Sequence, residues 1–136
     1  MESSSALSQI NWVGVIVAAL AAFPLGALWY GPLFQKRWMT VAGVSPSPGG
    51  DAGRVKTYAA ALVLNLVVAT SLALFIGPEA GWSFGLFAGL MAGFTFVAMA
   101  LGVIYLFERR PFALWAINAG YQVVVFSVMG IVLGVW

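Results

Sequence analysis

Apolar residues in this chain neither alternate with polar ones nor keep to one helical face. They come in unbroken blocks, with the charges pushed to the block edges. No charge falls between Glu2 and Lys36, between Lys56 and Glu79, between Glu79 and Glu108, or after Arg110. A helix needs roughly 20 apolar residues to cross a bilayer core, and each of these intervals holds one. The pattern predicts spans near residues 12–34, 58–76, 84–107 and 114–135, within a single domain covering 1–136. Strands of a barrel would alternate over about 10 positions. Segments such as Ala59-Ala60-Ala61-Leu62-Val63-Leu64 are instead apolar on every side. A cleaved signal peptide starts with positive charge and a short apolar region. Here Glu2 alone precedes a longer run, so the first block reads as a retained helix. The expected fold class is all-α, an integral membrane four-helix bundle.

Composition sharpens this reading. Hydrophobic residues make up 62% of the chain and charged residues 7%, against about 25% charged in a soluble domain. The lipid bilayer is therefore the expected partner, and a multi-pass protein of the cell or inner membrane the expected location. A net charge of +2 is too small to suggest nucleic acid. The chain has no cysteine and no histidine, which removes disulfides, thiolate chemistry, the commonest general base and the commonest zinc ligand.

The placement of the charges predicts orientation. Lys36, Arg37, Arg54 and Lys56 lie in the first loop and Arg109 and Arg110 in the third. The second loop carries only Glu79 and the amino-terminal tail only Glu2. Positive loops stay in the cytoplasm, which puts both termini on the non-cytoplasmic side. The first loop includes the turn-rich run Ser45-Pro46-Ser47-Pro48-Gly49-Gly50-Asp51, read as a linker. Glu108-Arg109-Arg110-Pro111 makes the third loop tight, so spans three and four should form an antiparallel hairpin.

Small residues recur at every fourth position. Span three has Gly81, Gly85, Gly89 and Gly93; span one has Gly14, Ala18, Ala22 and Gly26. Span two has Ala61, Ala69, Ala73 and Gly77, and span four pairs Ala116 with Gly120 and Gly130 with Gly134. In lipid, helices associate by close van der Waals approach, which small residues allow. The stripes read as helix-packing surfaces, either inside one bundle or between subunits of a homo-oligomer. Pro24, mid-span, removes a backbone hydrogen bond and predicts a kinked first helix. Gly31-Pro32 should end or bend the same helix. Trp29, Tyr30, Trp38 and Tyr105 have the placement of an interfacial aromatic belt.

A weak internal echo runs through the chain. Leu25-Gly26, Tyr30 and Leu33-Phe34 close span one much as Leu101-Gly102, Tyr105 and Leu106-Phe107 close span three. Asn65 and Asn118 each lie twelve residues before a glycine, Gly77 and Gly130. Two parallel helix-pair repeats would produce this, and so would shared membrane-edge composition.

The densest polar group inside a span is Asn118, Tyr121 and Gln122. Their i, i+3, i+4 spacing puts them on one helix face. With Asn65 in span two, they form the candidate polar intramembrane face. Two readings stand: interhelical hydrogen bonding, or a polar lining for a ligand or ion path. Asn65, at comparable depth, is the expected partner of Asn118. Thr70, Ser71 and Thr95 can bond to their own helix carbonyls. Glu108 reads as a solvated or paired boundary residue beside Arg109 and Arg110. Glu79 and Glu108 fall on opposite faces of the membrane, so they cannot act on one bond. No catalytic residues, metal ligands or cofactor site can be assembled, and an enzyme is not expected.

The run Asn11-Trp12, then Leu25-Gly26-Ala27-Leu28-Trp29-Tyr30-Gly31-Pro32-Leu33-Phe34 and Trp38-Met39, resembles the small membrane-protein family called domain of unknown function 1761. Ile117-Asn118-Ala119-Gly120-Tyr121, then Met129-Gly130 and Leu133-Gly134-Val135-Trp136, resembles that family's ending. The resemblance implies four spans, no established activity and no catalytic residues. The function expected is that of a structural or interaction component forming homo-oligomers, with a small oligomeric channel or transporter using a polar path near Asn118 as the alternative.

Overall fold

The structure is a computed structural model that describes residues 10–43 and 50–135, with side chains from Val55 onward in the second segment. Glu2, the Ser45–Gly49 part of the turn-rich run and Trp136 lie outside the described residues, and the side chains of Asp51 and Arg54 are likewise undescribed. All regular structure among the described residues is helical. Helix α1 covers Trp12–Leu28 and continues into a π-helical segment, Trp29–Leu33; α2 is Gln35–Ala42, and α3 is Gly50–Ile76. The third long helix comprises α4 (Trp82–Met91), a π-helical segment (Ala92–Ala98) and α5 (Met99–Glu108). Helix α6, Phe112–Val135, completes the fold. Four helices are long and apolar enough to cross a membrane: Trp12–Leu33, Val55–Ile76, Trp82–Glu108 and Phe112–Val135. Their bounds fall within a few residues of those expected.

Local chemistry sets the ends. Asn11 caps α1, its side-chain oxygen accepting from the Val13 and Gly14 amides at 3.1 and 3.3 Å. The helix runs on through Pro24. Helical geometry is interrupted further along, at Gly31, where φ is −100° and ψ −107°. Short α2 was not expected, because its eight residues are too few for a span and were absorbed into the loop. It carries Lys36 and Arg37 on its exposed side, with Trp38 and Met39 half-buried. Such two-faced character suits a helix at an apolar boundary. The third loop reverses through Arg109, held at φ 58°, with the Arg110 amide donating to the Tyr105 carbonyl at 2.9 Å. Glu108 pairs with Arg110 at 3.2 Å, and Arg110 also reaches the Ala42 carbonyl at the end of α2.

Span four is the organising element and packs against each of the other three. Val15, Ala18, Ala19 and Ala22 of span one, Ala69 and Leu72 of span two, Ala88 of span three and Val125 and Met129 of span four form the core. Large apolar side chains such as Phe75, Phe96, Leu106 and Phe107 point outward, as a lipid-facing surface requires.

The closest approach is between spans three and four. A β-carbon placed on Gly85 would land on the Gly130 carbonyl oxygen, and one on Gly130 would land on the carbonyl of Gly85. Gly89 lies in the same way against the Phe126 carbonyl, and Gly93 against Val123 and Phe126. Gly81 sits at the helix entrance with φ 91°, its amide donating to the Gly134 carbonyl at 3.0 Å. The glycine stripe is thus occupied inside one protomer. Past Gly93 the stripe continues at Ala98 and Gly102, after a step of five residues instead of four. The π-helical segment supplies that extra residue, so Ala98 and Gly102 still face span four.

Candidate functional site

The polar residues of span four meet span one. Asn118 lies about 10 Å along the helix from Pro111, at 1.5 Å per residue, well inside the apolar zone. Its Oδ1 accepts from the Tyr30 hydroxyl at 2.6 Å. Its Nδ2 donates to the Tyr105 hydroxyl at 3.0 Å. One amide therefore ties spans one, three and four together. An unpaired amide at that depth would cost several kcal/mol, roughly, and here both ends of the amide are engaged.

Three aromatic donors extend the node by a common device. Trp29 Nε1 donates to the Ile117 carbonyl at 2.9 Å, and its ring lies over Gly120. The Tyr121 hydroxyl donates to the Ala22 carbonyl at 3.0 Å, directly over Gly26. Trp115 Nε1 donates to the Ala98 carbonyl at 2.8 Å, over Gly102. In each case a glycine three or four residues after the accepting carbonyl leaves it uncovered. Helical side chains lean toward the amino terminus and would otherwise shield that carbonyl. Gly26 and Gly102, which correspond to each other in the internal echo, play equivalent parts here.

The expected site residues are only partly brought together. Asn118 and Tyr121 both reach span one. Gln122 is half-buried, its backbone carbonyl near Gly93, and its amide joins none of these bonds. Asn65 does not pair with Asn118: the tyrosine hydroxyls of spans one and three occupy both ends of that amide. Asn65 instead lines a half-open cleft of about 750 Å³ between spans one and two, with Tyr121 on its wall. Sequence reasoning placed Trp29, Tyr30 and Tyr105 in an aromatic belt and passed over Trp115. Their polar atoms turn inward to the bundle. The available signal was the glycine spaced to expose a carbonyl on the facing helix. Thr70, Ser71 and Thr95 bond to the carbonyls four residues earlier.

The two sequence stretches that carried the family resemblance, Leu25–Tyr30 and Ile117–Tyr121, are the stretches that meet in this node. The sequence model of the family described as "Protein of unknown function (DUF1761)" matches residues 13–134. The chain belongs to this family. No curated protein and no solved structure matches it. For this DUF1761 chain the match covers all of the four-span body but its end residues Trp12 and Val135, and it includes every residue of the Asn118 node. Trp38 completes the neighbourhood: its ring packs on Tyr30 at 5.2 Å, and Tyr30 packs on Tyr121 at 5.1 Å.

Proposed function

We propose that this protein is a non-catalytic structural or interaction component of a membrane, in which the Asn118 node fixes spans one, three and four in one arrangement. The observation that carries the reading is the double engagement of Asn118 by Tyr30 and Tyr105. A water or ion path along that face would have to break both bonds in a low-dielectric setting. The distribution of basic residues supports both termini on the non-cytoplasmic side, and the backbone of Gly31 supports a bend there in span one. Self-association belongs to this reading. Since the glycine stripe is taken up within the protomer, a second copy would pack on exposed large apolar side chains, such as Val63, Leu64 and Val67 of span two or Phe84 and Phe87 of span three.

Asn118→Leu separates this reading from transport. The expected result is a lower melting temperature, with a loss of roughly 1–2 kcal/mol for two intramembrane hydrogen bonds. Unchanged melting together with a lost ion or solute flux in proteoliposomes would favour the channel or transporter. Single cysteines replacing Thr40 and Glu79 should be labelled from inside and outside respectively, and the reverse pattern would invert the topology.

A further inference from the structure

The cleft between spans one and two has a chemistry of its own. Thr57 and Trp38 line its basic end, and Asn65 lies eight residues below Thr57, about 12 Å along the helix. It thus reaches from the edge of the apolar zone toward its middle. Its volume of about 750 Å³ lies within the range of small-molecule sites, roughly 300–1,000 Å³. Five rings line it: Phe23, Tyr30, Trp38, Tyr58 and Tyr121. Phe23 and Tyr58 meet edge to face across the two spans at 6.1 Å. Gly26, Ala27 and Ala61 keep the remaining wall flat and low.

The hydrogen-bonding capacity of this wall is asymmetric. The Tyr30 and Tyr121 hydroxyls have already given their hydrogens to Asn118 and Ala22. The Asn65 amide is half-buried and makes no hydrogen bond with any described residue. The indole N–H of Trp38 is buried and has no partner among the described residues. The Trp38 nitrogen is enclosed by protein, so among the described residues the side-chain hydrogens that a ligand in this cleft can reach are those of the Asn65 amide and the Tyr58 hydroxyl, and a ligand that completes them must offer acceptors. No acid is among the described residues that line the cleft, and the charged neighbours in sequence of Trp38 and Thr57 are Arg37 and Lys56. Among the described residues a cation would meet no counter-charge there.

We propose that this cleft binds a planar, uncharged, lipid-soluble molecule bearing carbonyl acceptors, of the quinone type, with its ring among the aromatic side chains and a carbonyl on the Asn65 amide. Flat rings stack on such walls, and Asn65 supplies the donor. The claim concerns binding only and is independent of the structural role proposed for Asn118.

The test uses the full chain in nanodiscs, with binding measured by equilibrium dialysis. The probes are a decyl-substituted naphthoquinone, decylnaphthalene, which lacks the acceptors, and decyltrimethylammonium. The quinone should bind and the other two should bind at least tenfold more weakly. Asn65→Leu should weaken the quinone by roughly three- to tenfold, the loss of one hydrogen bond. Ala61→Phe should abolish binding, and Ala27→Phe serves as a second filling variant if the first melts early. Equal binding of quinone and decylnaphthalene would overturn the proposal. So would quinone binding that survives both filling variants. Tight phospholipid found by native mass spectrometry, lost in Ala61→Phe and not displaced by the quinone, would assign the cleft to lipid instead.

Discussion

Spans three and four and spans one and two are built from the same small residues at the same spacing, yet they close in opposite ways. In the first pair Gly85, Gly89 and Gly130 bring the backbones into direct contact. In the second, Ala27 and Ala61 border open space, while Gly26 is covered by Tyr121 from span four. Small residues permit close approach but do not enforce it. What enforces it is tethering. Spans three and four are joined by a tight turn, by the bond between Gly81 and Gly134, and by Trp115 on Ala98. Spans one and two are separated by α2 and the long first loop, and large rings at Phe23 and Tyr58 prop the gap.

The sharpest way to break this contrast is Gly85→Leu. Its side chain would enter the Gly130 carbonyl, and backbone cannot yield as a flexible side chain can. Loss of folded protein, or destabilisation above about 3 kcal/mol, is expected because overpacking a tight contact already costs 1–3. Retained melting temperature in detergent would mean that the seam opens freely. Gly89→Leu should behave in the same way.

Next in size is the aromatic tether. Trp115→Phe keeps a ring over Gly102 and removes only the indole N–H. A loss of about 0.6 kcal/mol, and no more than roughly 1.7, is expected for one intramembrane hydrogen bond. Thermal unfolding by intrinsic fluorescence would detect it, and a shift as large as that of Gly85→Leu would show that Trp115 has a further role.

The smallest effect is expected at the cleft. Asn65→Leu removes no hydrogen bond made within the protein, so stability should change by less than about 0.5 kcal/mol. A clear loss of melting temperature would give Asn65 a partner inside the bundle and erase the contrast with Asn118.

The four spans were legible because lipid tolerates no charge in its interior, so Lys56, Glu79, Glu108 and Arg110 mark the edges by themselves. The glycine stripe was legible as far as Gly93. Beyond it the period changes by one residue, and Ala98 and Gly102 drop out of any four-residue search. The partner of Asn118 was not legible. Periodicity identifies a shared face on one helix, but it does not say which neighbour that face meets. Depth made Asn65 a reasonable choice, whereas hydroxyls of Tyr30 and Tyr105, assigned to the membrane edge, extend inward far enough to reach the amide. Tyrosine can place its ring at one level and its oxygen at another.

The π-helical segment at Ala92–Ala98 divides span three into two phases. The half before it keeps the glycines aligned on span four, and the half after it presents Ala98, Gly102 and Tyr105 one residue later than a regular helix would. Removing one residue from that segment would leave the first half in step and rotate the second half by about 100°, one residue's share of a helical turn. Tyr105 would then swing away from Asn118, and Gly102 from beneath Trp115. A shortening that barely changes hydrophobic length would disconnect one end of the bundle from the other. Span three is therefore intolerant of a one-residue deletion for reasons that hydropathy alone does not register.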